Sequence, residues 1–131
     1  MFGGDRRLVT FETSSTSDLI ARAETPFDLV SLVDVLHHVA DNQRQKVLED
    51  AASLTAPGGT LIVKEWELRD GLANRAAFTA DRYVSGDTTV RFMPRDETQA
   101  LVDNALRGWQ RICEARIPPR RANLFLAYRK T

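Results

Sequence analysis

The chain has 131 residues, of which 43% are hydrophobic and 27% charged, a composition typical of one globular domain with a substantial core. Its 18 lysine and arginine residues balance 18 aspartate and glutamate residues, which argues against a dedicated nucleic-acid-binding or membrane-surface protein. Cys113 is the only cysteine, so no intrachain disulfide can form, and no apolar run is long enough to span a bilayer. We therefore expect a cytoplasmic protein that binds neither nucleic acid nor membranes.

The N-terminal part of the chain predicts two short elements. Residues 8–11 are typical of a short strand. The hydroxyl-rich stretch 13–18 can cap a short helix over residues 19–23, and Pro26 ends that segment.

Residues 27–66 carry the strongest pattern, two apolar runs on either side of a helix. The runs at 29–33 and 61–63 are rich in β-branched side chains and are typical of strands buried on both faces. Between them four apolar residues recur at helical spacing, namely Val47, Leu48, Ala51 and Leu54. This order predicts a right-handed βαβ unit with two parallel strands.

The helix of this unit has a polar face and predicted ends. Asp41 is expected to be its N-cap, and the Pro-Gly-Gly sequence at 57–59 is expected to end it and turn the chain. The face opposite the apolar residues is expected to lie in solvent and consists of Arg44, Lys46, Glu49 and Asp50.

The C-terminal half predicts two further helices and a hairpin. A helix is expected over residues 70–84, an extended segment over 88–93, and a second helix from Pro94 that ends at Gly108. Two strands at 109–117 and 124–129 follow, and the short turn between them requires an antiparallel pair.

Four polar residues mark the end of the predicted parallel strands. Asp34 follows the first strand and Glu65 ends the second, so both carboxylates should lie at the edge of the sheet where such folds bind ligands. His37 and His38 come just after Asp34, and either could act as a general base or simply satisfy backbone groups at the helix start. No metal site is predicted, because adjacent histidines in extended chain diverge.

The order of three motifs resembles a known family. Phe-Asp-Leu-Val, Asp-Val-Leu-His-His-Val and Ala-Pro-Gly-Gly-Thr-Leu-Ile-Val-Lys-Glu resemble the middle of a class I S-adenosylmethionine-dependent methyltransferase. The resemblance implies an α/β fold, a Rossmann-like sheet of parallel strands that finishes in an antiparallel hairpin. It also implies methyl transfer from S-adenosylmethionine to a small-molecule acceptor.

The resemblance implies a role for each candidate residue. His38 or His37 would be the catalytic base. The cofactor would contact Asp34, Val33 and Glu12, although the residues themselves favour a hydroxyl-rich helix cap for the segment that contains Glu12. The substrate side would consist of Glu65, Trp66, Arg82 and Tyr83.

One part of the family pattern is missing from these 131 residues. The seven glycines form no G-x-G-x-G pattern, and no acid stands where the family holds the cofactor ribose. We therefore expect a single domain over 1–131 that lacks the N-terminal cofactor-binding half, and an apolar edge on Phe27–Val33 left open. A homodimer or a complementing N-terminal half would cover that edge. The alternative to an enzyme is a non-catalytic relic, or half of a split enzyme, that acts as an interaction module.

Overall fold

The computed structural model describes residues 9–22, 25–67, 90–118 and 123–131. The predicted helix over 70–84 lies outside these ranges, as do Arg82, Tyr83 and most of the hairpin turn. The described elements are α1 (Thr16–Arg22), β1 (Phe27–Val33), a 3₁₀ turn (Leu36–His38), α2 (Asp41–Leu54), β2 (Thr55–Trp66), α3 (Arg95–Ala105), β3 (Gln110–Ile117) and β4 (Asn123–Arg129).

The strands form one sheet in the order β1-β2-β4-β3. β1 and β2 are parallel, whereas β4 is antiparallel to both β2 and β3. The predicted α/β fold, with its parallel pair and its C-terminal antiparallel hairpin, is confirmed.

The core lies between one face of this sheet and helices α2 and α3. Leu61 and Val63 of β2 contribute to it, and they pack with Leu48 of α2 and Val102 of α3 in one cluster of buried side chains. Alternate residues of β2 point into this cluster, so the next residue in the series, Glu65, is also buried.

β1 is buried on one face only, contrary to the prediction. Leu32 belongs to the core, but Phe27, Leu29 and Val33 are 47%, 58% and 54% exposed. The difference arises because β1 pairs only with β2 among the described residues, and the described helices cover a single face of the sheet.

The predicted strand over residues 8–11 is wrong for its described part, since residues 9–11 belong to no strand. Val9 and Phe11 are exposed there, because this short segment leads directly into the cap of α1. That cap is a reciprocal pair in which the Asp18 N–H donates to Ser15 Oγ and the Ser15 N–H donates to Asp18. The hydrogen bonds from Ser15 lower the pKa of Asp18.

Helix α2 departs from its prediction at three points. It ends at Leu54, and the Pro-Gly-Gly sequence at 57–59 lies within β2 instead of ending the helix, because Gly58 and Gly59 form backbone hydrogen bonds with Lys130. Asp41 is the first helical residue, and Ala40 takes the N-cap position. Arg44 and Asp50 are buried rather than solvated, because Arg44 binds backbone carbonyl groups and Asp50 accepts hydrogen bonds from Thr16 and Lys46. In the described part of the chain, no helix has the length and apolar character needed to cross a membrane.

Candidate functional site

Glu65 connects the end of β2 to the loop that follows β1. Its side chain is buried, and its Oε1 accepts hydrogen bonds from the backbone N–H groups of Val35 at 2.9 Å and Leu36 at 2.6 Å. These N–H groups open the 3₁₀ turn, where no residue of the turn itself provides a side-chain cap. The carboxylate therefore caps the turn from the neighbouring strand.

His37 forms the second contact of the same carboxylate. Its Nδ1 lies 2.7 Å from Glu65 Oε2, and its side chain is 3% exposed. Because an ionised carboxylate only accepts, this contact places a proton on Nδ1. The backbone carbonyl of His37 also accepts a hydrogen bond from the N–H of Arg91 at 2.9 Å. His37 is thus fixed by one contact of its ring and by one hydrogen bond of its backbone.

Asp34 makes the turn from β1 into this loop. Its φ of 55° lies in the left-handed region, which is uncommon for a residue other than glycine. Lys64 stabilises the conformation, since its Nζ lies 2.7 Å from both Asp34 carboxylate oxygens and its carbonyl accepts the Asp34 N–H at 2.9 Å. Backbone strain of this kind is concentrated at functional sites.

Aromatic side chains surround the histidine pair. The rings of His37 and His38 are 4.1 Å apart between centroids, and Phe92 meets His37 edge-on at 5.1 Å. Trp66 stacks near Phe92 at 6.5 Å, and Lys64 Nζ lies 5.6 Å from the indole centroid. Phe92 and His37 are at most 4% exposed, so these rings pack against one another inside the protein.

Asp34, His37 and Glu65 also offer possible metal-ligand atoms within 4.8 Å of one another. Their contacts account for the cluster without a metal ion, since Lys64 binds both oxygens of Asp34 and the Glu65 oxygens contact three nitrogen atoms. A nearby cavity of about 150 Å³, lined by Asp41, Arg44, Arg91, Met93, Glu97 and Leu101, is smaller than a usual small-molecule site.

The predicted meeting of Asp34 and Glu65 at one end of the sheet is confirmed by these contacts. Val33 and Trp66 lie at the same end, as the last residues of β1 and β2. Glu12 lies before α1, where its described contacts are with Ser14 and Arg22. The functional roles given to these residues remain predictions.

Sequence reasoning missed three residues at this site. Lys64 directly precedes Glu65, so it could have been found as the partner of a strand-end acid. Phe92 and Arg44 lie far along the chain from His37, and no spacing in the sequence connects them to it.

Comparison with known proteins agrees with this geometry. A family profile described as "Methyltransferase domain" matches residues 5–109. The chain belongs to this methyltransferase family. The predicted resemblance is thereby confirmed, although no curated protein matches the chain in sequence.

Solved methyltransferase structures share the fold. An O-methyltransferase family protein from Burkholderia thailandensis has a TM-score of 0.69 and 22% identity over 92% of this chain. Human N-acetylserotonin methyltransferase, solved in complex with S-adenosylmethionine, has a TM-score of 0.63 and 21% identity over 95% of this chain. A Burkholderia thailandensis 1,6-didemethyltoxoflavin-N1-methyltransferase, solved with 1,6-didemethyltoxoflavin and S-adenosylhomocysteine, has a TM-score of 0.58 and 17% identity over 86% of this chain. The chain spans only 35%, 36% and 48% of these three proteins.

Proposed function

We propose that this methyltransferase-family chain carries the acceptor side of an active site for methyl transfer, with His37 as the general base. The buried 2.7 Å contact between His37 Nδ1 and Glu65 Oε2 is the observation that supports this function most. A carboxylate that holds one imidazole nitrogen fixes the tautomer and the orientation of the ring. The acceptor is a small molecule with a hydroxyl or amine group.

The chain's own residues would move one proton. As the acceptor oxygen or nitrogen forms its bond to the methyl group, its proton passes to His37 Nε2. The Glu65 carboxylate then stabilises the resulting imidazolium, and does so strongly because both side chains are at most 3% exposed. S-adenosylmethionine, when bound, would supply the methyl group.

The residues present fit that cofactor in part. Asp34 provides a carboxylate of the sign that suits a cationic donor, and Val33 is exposed beside it. Lys64 neutralises this carboxylate, and the sequence contains no glycine-rich G-x-G-x-G loop that would let the backbone approach the cofactor closely. We propose that the remaining contacts come from a polypeptide with such a loop. Alone, the chain should bind S-adenosylmethionine more weakly than low-micromolar, a free energy of about −8 kcal/mol.

Transfer of a tritiated methyl group to hydroxylated and amino aromatic acceptors tests the proposal. The chain is assayed alone and with a separately expressed polypeptide that carries the glycine-rich half of a class I methyltransferase domain. His37→Ala should lower the turnover by roughly a hundredfold. A loss confined to His38→Ala would make the other histidine the base, and the absence of methyl transfer in every arm would contradict the proposed activity.

A second candidate function is association through β1. We propose a second copy of the chain as the occupant of this edge, because its residues are apolar and its pairing can be self-complementary. An antiparallel pairing centred on Val30 places Asp28, the only charged residue of the strand, opposite Leu32 of the second copy. Exposed apolar strand edges pair readily with other strands.

Light scattering at micromolar concentration tests this association. The chain should have twice its monomer mass of 14.7 kDa, and Leu29→Lys should return it to a monomer. The matched control is Ile112→Lys, an exposed apolar residue on β3 at the opposite edge of the sheet. If the wild type is a monomer and associates only with the glycine-rich polypeptide, the homodimer is excluded and the chain is half of a split enzyme.

A further inference from the structure

We infer that Arg44 is a positioning residue for His37, acting through the backbone of the 3₁₀ turn that carries this histidine. The inference rests on the proposed function, since it gives Arg44 a part in presenting the proposed base. Arg44 belongs to α2, and its side chain is only 2% exposed although it carries a full charge. A buried guanidinium requires a hydrogen-bond acceptor for each of its nitrogens. The positions of these acceptors show which backbone segments Arg44 fixes in place.

The first group of partners belongs to the turn itself. Arg44 Nε donates to the carbonyl of Leu36 at 2.8 Å and to the carbonyl of Val39 at 3.0 Å. Leu36 is the first residue of the turn and Val39 its C-cap, so one nitrogen binds both ends of the turn. His37 and His38 lie between these two anchored carbonyl groups.

The second group joins the turn to another segment. Arg44 Nη2 donates to the carbonyl of Arg91 at 3.2 Å, and the N–H of Arg91 donates to the carbonyl of His37 at 2.9 Å. Arg44 Nη1 pairs with Asp41 at 2.7 Å, which balances its charge at the start of α2. Arg44 thus supports the segment that in turn holds the His37 backbone.

Glu65 and Arg44 hold the turn in complementary ways. The anion accepts hydrogen bonds from the N–H groups of Val35 and Leu36, whereas the cation donates to carbonyl groups of Leu36 and Val39. The backbone is therefore fixed on its donor side and on its acceptor side. A rotation of the turn that moved His37 Nδ1 away from Glu65 would have to break contacts to both side chains.

The fork of an arginine suits this task better than a lysine ammonium. Its nitrogens lie in one plane at fixed angles, and here they reach three carbonyl groups and a carboxylate. A lysine at this position could neutralise Asp41 but would act as a point charge without the planar geometry. Arg44→Lys therefore separates the charge of residue 44 from its ability to hold the turn.

Nitrogen NMR of the histidine-labelled chain tests the inference without any need for turnover. In the wild type, His37 should show a slowly exchanging proton on Nδ1, in contact with the Glu65 carboxylate. Arg44→Met keeps the apolar stem and removes the donors, and it should replace this signal with a mixture of ring states in fast exchange with water. Arg44→Lys should do the same and serves as the test variant if Arg44→Met does not fold. Lys46→Met, an exposed position on the same helix, is the control and should keep the wild-type signal.

Activity gives a second readout that a purely structural role would not produce. In folded Arg44 variants, kcat should fall roughly tenfold to a hundredfold while KM changes little, because misplacement of a base affects the transition state. A folded Arg44→Met or Arg44→Lys protein with the wild-type His37 signal would overturn the inference. If the Arg44 variants lose the signal but the wild type shows no methyl transfer, the positioning role of Arg44 stands. The proposed function is then contradicted.

Discussion

β1 and β2 come from the same βαβ unit and have similar apolar sequences, yet the structure uses them differently. β2 lies inside the sheet between β1 and β4, and its alternate residues are buried in the core. β1 has one described neighbour and exposes three of its large apolar side chains. An apolar sequence therefore shows that a strand can be buried on both faces. It does not show which strands and helices pack against it.

The two strands also contribute differently to the site at their common end. Glu65 lies on the core-facing side of β2, so its carboxylate is buried and contacts His37. β1 delivers Asp34 at its exposed edge, where Lys64 holds it in a left-handed conformation. One strand therefore provides a buried acid. The other provides a half-buried acid beside a strand edge that has no partner among the described residues.

The largest expected difference between the two strands is in the free energy of unfolding lost when one leucine of each strand is truncated to alanine. Leu61→Ala in β2 should destabilise the fold by about 3 kcal/mol, because it opens a cavity in the core. Leu29→Ala in β1 is the matched control and should cost less than about 1 kcal/mol, because that side chain is already largely in water. Urea unfolding of both variants measures the difference. Equal losses would show that β1 is covered as well as β2.

A smaller effect is expected at Gly59 of β2, which is crowded by backbone atoms of both strands. A Cβ added at Gly59 would lie 2.8 Å from the Ala56 carbonyl oxygen and 3.0 Å from the Asp28 carbonyl oxygen. Gly59→Ala should therefore cost about 2 kcal/mol through a forced shift within β2 and between β2 and β1. At Gly58 the added atom meets nothing, and only its φ of 76° is strained, so Gly58→Ala should cost about 1 kcal/mol. Thermal unfolding compares the pair, and the reverse order would contradict the close approach.

A further effect, confined to alkaline pH, concerns β4, the other neighbour of β2. Tyr128 of β4 pairs with Leu61 and donates a hydrogen bond to Asp103 at 2.6 Å. Burial and then the Asp103 contact raise the pKa of Tyr128 from 10.0 to about 12. The raised pKa favours the neutral, folded form, so stability should be level below pH 10 and fall between pH 10 and about 12. The slope should not exceed about 1.4 kcal/mol per pH unit for one proton. Tyr128→Phe should lack this fall, and an unchanged alkaline profile in that variant would refute the assignment.

The sequence predicted the parts of the structure that depend on strand polarity. Asp34 and Glu65 meet because parallel strands end at the same edge, and this holds whatever packs around them. The burial of Arg44 could not be predicted, since helical periodicity places it on a polar face and only the folded turn brings carbonyl groups over it. The sequence also could not predict whether His37 or His38 contacts Glu65, because the geometry of the 3₁₀ turn decides which ring reaches it.

We propose that His37 and Glu65 act as one unit in methyl transfer. Turnover of the wild type, His37→Ala, Glu65→Gln and the double variant tests it most directly, with circular dichroism to confirm that each protein is folded. We predict that Glu65→Gln lowers kcat at least about tenfold and that the double variant is no slower than His37→Ala alone, as expected for groups that work together. Losses that multiply in the double variant, or an unchanged kcat in Glu65→Gln, would contradict the account.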